Sequence, residues 1–356
     1  MPSIRNKRAS VAILSGVIVL MVGLSGCSKN QTSEKLLADA KQYQQKGDIK
    51  AAVIQLKNVL QKDPDNKDAR YLLGTIYNQA GDPVSAEKEL RKAVSLGFNQ
   101  NTVIPDLAKA LLAQGQFQKM LDETGSDSKL KVDSNISALR GNAFLGLGKK
   151  MEAKEAFEFA LKSSPDFPDA LIGLAKLAAS ERDMDAANRF ADAATGKNPN
   201  YAQAWLFRGD LLRIQGKVDE ALAAYTQTIK IEPDNSAALI VKANVEIGMK
   251  KFVEAKQDID AAKKLAPTSM LVFYSQGLLD YTQNNYPVAL ESMQQVEKIA
   301  PDYMPGVLLT GAIQYALGAT AQAERYLKKY IESNPGNVYA QKLMVGVLLK
   351  KGQPER

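Results

Sequence analysis

The chain has 356 residues, no histidine and one cysteine, and 46 Lys and Arg against 39 Asp and Glu give it a net charge of +7. Without histidine it lacks the commonest general base and the commonest transition-metal ligand. The positive excess is mild and spread along the chain, so nothing in it argues for nucleic acid.

The first 26 residues fall into three zones: a basic start (Arg5, Lys7, Arg8), an uncharged apolar run from Val11 to Gly23, and the small-residue tail Leu24-Ser25-Gly26. That order is the pattern of a secretory signal peptide, and the apolar run is shorter than the ~20 residues that a spanning helix needs. Leu24-Ser25-Gly26-Cys27 resembles the bacterial lipobox, in which the thiol is diacylated and the bond before it is cut. The alternative for Cys27 is a free or intermolecularly paired thiol. Several acyl chains, at ~0.8 kcal/mol per buried CH₂, hold a protein on a membrane where one does not. By resemblance to sorted lipoproteins of two-membrane bacteria, Ser28 in place of Asp implies the outer membrane, at its periplasmic face, ahead of the inner one. Loss of Arg5, Lys7 and Arg8 with the leader lowers the net charge to +4.

After Cys27 the chain is periodic. Prolines stand at 165, 199, 233, 267, 301 and 335, each 34 residues after the last, with Pro64 one residue off the same comb. A 34-residue period resembles the tetratricopeptide (TPR) helix-turn-helix repeat. In 202–235, Trp205, Gly209, Ala221, Tyr225 and Pro233 fill the family places, while Arg208 and Leu212 depart from them. The small residue of the second helix recurs as Ala52, Ala86, Ala153, Ala187, Ala221, Ala255, Ala289 and Ala323, with Met120 the exception.

The resemblance implies an all-α, right-handed TPR superhelix (an α-solenoid) of about nine repeats and a partial tenth. The frame is 1–26 signal peptide, 27–32 lipidated linker, then 33–66, 67–100, 101–133, 134–167, 168–201, 202–235, 236–269, 270–303 and 304–337, with a partial repeat over 338–356. Gly47, Gly81, Gly115, Gly148, Gly216, Gly318 and Gly352 are expected to stop first helices with φ > 0. Pro83 and Pro287 fit the start of second helices. The third repeat is degenerate: it carries Pro105 in its first helix and the polar run "ETGSDSK" at the end of its second, and a local break is expected there.

Catalysis finds little support. No GxGxxG or GxxxxGK loop occurs, and "GLGKK" at 146–150 ends a helix. The acid pairs Asp183 and Asp185, and Glu152 and Glu155, read as solvated charge. The expectation is a non-enzyme with no cofactor and no metal, with carboxylate hydrolysis the least favoured reading.

By resemblance to the family, places 2, 5, 9 and 12 of each repeat face the binding groove. In early repeats they hold Glu34, Lys41, Gln44, Asp68, Tyr71, Thr75, Asn78, Asn135 and Asn142. In the last three full repeats they hold Ile240, Asn244, Ile247, Leu271, Tyr274, Leu278, Tyr281, Leu308 and Tyr315. The second set is the candidate partner-binding groove, because an exposed apolar stripe invites a partner and tyrosine serves as an interface anchor. The competing reading is that these side chains pack against the next first helix. Asn142 and Asn244 match the asparagine place of a carboxylate-binding TPR, but Ala138 and Ile240 replace its lysine, which disfavours that ligand.

Residues 338–350, "VYAQKLMVGVLLK", read as one more first helix with Met344, Val345 and Leu348 at the places that meet a second helix. The expectation is a truncated array or an end that docks on a partner or a second copy. "QLKNVLQKDPDN", "GDPVSAEKELRKA", "DLAKALLAQGQFQKML" and "YLKKYIESNPGNVYAQKLMVGVLLKKGQPE" closely resemble the TPR lipoprotein of the PEP-CTERM/exosortase system, the PrsT family. Members of that family are considerably longer. The resemblance implies a lipid-anchored periplasmic scaffold whose partners are proteins of an envelope export or sorting system linked to exopolysaccharide. A general outer-membrane assembly or pilus-type TPR lipoprotein is the alternative.

Overall fold

A computed structural model describes residues 32–125 and 132–352; Cys27 and the leader lie outside the described residues. Nineteen α-helices and no strands occur among them. They divide into two compact units, 1–98 and 99–356.

The first unit holds α1 (Ser33–Gln45), α2 (Ile49–Lys62), α3 (Lys67–Gln79) and α4 (Pro83–Ser95). These form two helical hairpins around a core of Leu36, Ala40, Ala52, Leu56, Val59, Leu73 and Ile76. The helices start where a side chain can accept the free N–H groups of the first turn: Asp48 accepts from the Ala51 N–H, Asn66 from Ala69 and Asp82 from Ser85. Pro83 follows Asp82 at the first helical position, where the missing N–H costs nothing.

The second unit opens with α5 (Gln100–Ala113) and α6 (Phe117–Glu123). It continues with α7 (Ser134–Gly146), α8 (Lys150–Ser163), α9 (Pro168–Ser180), α10 (Met184–Lys197), α11 (Ala202–Ile214) and α12 (Val218–Ile231). Next come α13 (Ser236–Gly248), α14 (Phe252–Leu265), α15 (Met270–Thr282) and α16 (Tyr286–Ile299), then α17 (Met304–Ala316), α18 (Thr320–Ser333) and α19 (Val338–Lys350). Each odd helix pairs with the next as a hairpin, and each hairpin stacks on its neighbour, as in a TPR solenoid. α5 runs through Pro105, and α6 stops after seven residues where the other second helices of this unit have fourteen.

Two side-chain choices set the hairpin geometry. The eighth place of each first helix from α1 to α17 is Gly or Ala, and where it is Gly a larger residue of the second helix fills the space over it. A Cβ on Gly74 would meet Leu90, one on Gly141 would meet Phe157, and one on Gly277 would meet Met293. The recurring alanines of the second helices, Ala52 through Ala323, are fully buried at the same crossings. The turn between the two helices uses a left-handed residue. All seven glycines expected there have φ between 69° and 78°. In three hairpins the same place is held by Arg182, Lys250 and Asn284, with φ of 64°, 60° and 64°.

Candidate functional site

Several charged and polar groups lie on the first helices of the second unit. α9 presents Lys176, whose ammonium lies 5.8 Å from the centre of the Phe207 ring on α11. Crowding by the neighbouring helix lowers its pKa, while Asp169 and Asp210 pull the other way. Each of those carboxylates is held from outside the face: Tyr201 donates to Asp169 at 2.5 Å and Tyr225 to Asp210 at 2.8 Å. Burial, reinforced by the adjacent carboxylates, raises the pKa of both tyrosines, so they remain protonated donors. Arg213, one turn along from Asp210, approaches it to 3.8 Å and keeps about half of its side chain exposed.

Arg213 also borders a cavity of about 510 Å³ between α11, α12 and α13. Val218, Val241, Val245 and Met249 give it apolar walls, and Asn244 supplies a polar group. The Asn244 Oδ1 is buried without a hydrogen-bond partner, a state that costs roughly 1–3 kcal/mol unless a donor arrives. Below it, Lys242 bonds Glu246 at 2.6 Å and Asp258 at 2.5 Å, and burial holds Glu246 above the usual carboxylate range. That buried group braces α13 against α14.

The nine sequence-predicted groove residues do not form one wall. Ile240 and Ile247 are each 3 % exposed, in a core with Val272 and Leu279, so the expectation that they face a groove is corrected. α13 and α15 approach closely enough to bury them. Leu278 is shared between that core and the next, while Leu271 stays 40 % exposed. Tyr274 packs edge-on against Tyr303 with ring centres 5.4 Å apart, and burial raises its pKa to about 12. The Tyr281 hydroxyl lies 3.1 Å from that of Tyr339, linking α15 to α19. Leu308 and Tyr315 pack on the Ala323, Leu327 and Val347 core, and Lys350 lies 4.1 Å from the centre of the Tyr315 ring. Only Asn244 of the nine lines the large cavity.

The sequence reading passed over Lys176, Asp210 and Arg213. They hold places 9, 9 and 12 of their repeats, the places read elsewhere, and their charge in a mostly apolar helix was the available signal. Together the arrangement offers a cation, partly exposed carboxylates held by tyrosine hydroxyls, an amide acceptor and an apolar recess. It can grip a polypeptide by an apolar side chain and by its backbone. No cluster of carboxylates able to hold a metal, and no helix long and apolar enough to cross a membrane, occurs among the described residues.

Two tetratricopeptide-repeat family models match this chain, one over residues 43–103 and 212–271, the other over 139–187, 184–236 and 274–338. The type IV pilus assembly protein PilF of Pseudomonas aeruginosa (strain PAO1) is 24% identical over 233 residues, covering 61% of this chain and 92% of PilF. Tetratricopeptide repeat protein 6 of Homo sapiens is 29% identical over 206 residues, 56% of this chain, and the match covers 39% of that protein. Among solved structures, Pseudomonas aeruginosa PilF superimposes with a TM-score of 0.51 at 20% identity, over 60% of this chain and 96% of PilF. PilW, a type IV pilus biogenesis factor, gives 0.52 at 18% identity, over 59% of this chain and 98% of PilW. The two models together match well over half of the residues, and the chain belongs to the tetratricopeptide-repeat family.

Proposed function

We propose that this protein is a non-catalytic scaffold of the bacterial envelope that binds a partner polypeptide on the first-helix face from α9 to α15. The observation that carries the reading is the cavity bordered by Arg213 and Asn244, where an unpartnered buried amide oxygen stands over apolar walls. A segment that inserts an apolar side chain covers the apolar walls, and a backbone N–H that reaches Asn244 gives its buried oxygen a donor. Tyr274 and Leu271 extend the same face, with Leu271 the more accessible.

The likeness to PilF, which covers nearly all of that protein, supports an assembly role of the pilus type. The PEP-CTERM setting rests on the quoted segments that resemble PrsT, and is the second reading. In either setting Cys27 is the proposed lipid anchor, on the periplasmic face of the outer membrane. Its test is the mass of the mature N-terminus, and an unacylated Cys27 in the native membrane rules the anchor out.

The functional test combines Arg213→Ala with Asn244→Ala in the full chain. Partner capture from solubilised membranes of the source cell is expected to fall at least tenfold, about 1.4 kcal/mol, with an unchanged helical circular dichroism spectrum. Undiminished capture by the double variant overturns the assignment of this face.

A further inference from the structure

The cavity beside Asn244 has a filled counterpart within the same unit. Of the first helices from α1 to α17, two carry glycine five residues after the small eighth residue: Gly146 on α7 and Gly248 on α13. The preceding second helix brings its first residue to each of them, Phe117 to Gly146 and Val218 to the cavity that Gly248 lines. Both residues stand two places after a left-handed glycine, Gly115 and Gly216. A Cβ on Gly146 would lie 2.5 Å from the Phe117 ring, so the ring occupies the space that the missing side chain leaves. A Cβ on Gly248 would meet nothing within 4 Å. One seat is closed by a ring, and the other is open because valine stands where the earlier repeat has phenylalanine.

The open seat suits an aromatic side chain in size and in chemistry. A cavity of roughly 150 Å³ with apolar walls already admits a benzene ring, and this one, at about 510 Å³, has room for a ring and for the backbone that carries it. The Met249 thioether and the Arg213 guanidinium both border it. Sulfur and cations each gain from an aromatic neighbour, and an aliphatic side chain such as leucine would offer neither contact.

Charge at the rim selects the rest of the segment. Lys217 directly precedes Val218 and Lys250 directly follows Met249; both are exposed, and Arg213 keeps about half of its side chain exposed. Asp219 is the exposed carboxylate beside Val218, whereas Asp210 already accepts from Tyr225 and lies 3.8 Å from Arg213. The excess of cations favours an acidic neighbour. We infer that the partner anchors in this cavity by an aromatic side chain laid over Gly248, in a segment that carries a carboxylate close to it in sequence. The inference rests on the partner-binding reading of this face and specifies its anchor.

The test pans a random dodecapeptide library displayed on phage against the full chain and against Val218→Phe, which restores the ring that Phe117 supplies in the earlier repeat. The parent is expected to enrich peptides that share one aromatic position with Asp or Glu within two residues of it. The strongest of these, fluorescently labelled, should bind Val218→Phe at least tenfold more weakly, and should lose as much when its aromatic residue is changed to leucine. Val218→Phe should melt no lower than the parent, because the added ring has a seat. A lower melt, an aliphatic shared position, basic neighbours or unchanged affinity for Val218→Phe overturns the inference. So does the absence of enriched peptides, which leaves the cavity to a small apolar molecule. A dimer in sedimentation velocity that Val218→Phe dissolves overturns it as well, because it gives the cavity to a second copy. Peptides with no shared aromatic that are lost on combining Arg213→Ala with Asn244→Ala refute this anchor and keep the face. Undiminished binding of every peptide by that double variant refutes the face itself.

Discussion

Lys250 shows how a repeat tolerates a poor local choice. Its N–H bonds the Ile247 carbonyl and its φ is 60°, the conformation that Gly216 and Gly318 adopt at the same turn. A side chain in that region costs about 1–2 kcal/mol, partly offset because glycine loses more freedom on folding. Lys250→Gly is therefore expected to stabilise the protein by roughly 0.5–1 kcal/mol, read as a higher urea midpoint with an unchanged slope. A lower midpoint would mean that the lysine makes a compensating interaction. The sequence reading could place the turn at this residue's neighbours because glycine announces it. It had no such mark at Arg182 or Lys250, which follow the repeat's geometry rather than their own preference, whereas Asn284, just ahead of Pro287, is a residue type that tolerates the left-handed region.

At the scale of the helix pair, the controlling contact is between the eighth residue of the first helix and the residue that covers it. A Cβ at Gly141 would lie 2.5 Å from the Phe157 Cε1, and Phe157 is fully buried with nowhere to withdraw. Gly141→Ala is expected to cost about 1–3 kcal/mol, the range for overpacking a filled core. Adding Phe157→Leu should recover part of the loss. Equal thermal melts of Gly141→Ala and the parent would contradict the packing described for α7 and α8. Fold class was legible because the proline comb, the buried alanines and the turn glycines all repeat at one spacing, and each has one physical cause. The groove was less legible. Ile240 and Ile247 hold first-helix places that face a ligand only when neighbouring first helices stand apart. The approach of α15 to α13 buries them, and no single repeat encodes that approach. Asn244 was recoverable from its place, whereas the cavity beside it depends on Val218 and Met249 from two different turns.

At the scale of the whole molecule, the chain distributes its burial over many small cores rather than one, so binding can occupy a face without disturbing a centre. On the proposed reading, an extended polypeptide would meet, from α9 to α13, Lys176 and Arg213 as cations, carboxylates braced by Tyr201 and Tyr225, and an amide oxygen without a donor above an apolar recess. The most direct test replaces Met249, in the cavity wall, with a photo-crosslinking amino acid in the source cell. Lys154, on the exposed side of α8, serves as the comparison position. The account predicts a discrete crosslinked protein from position 249 that disappears when Arg213→Ala and Asn244→Ala are added, and none from position 154. The same adduct from both positions, or its persistence in the double variant, would contradict it.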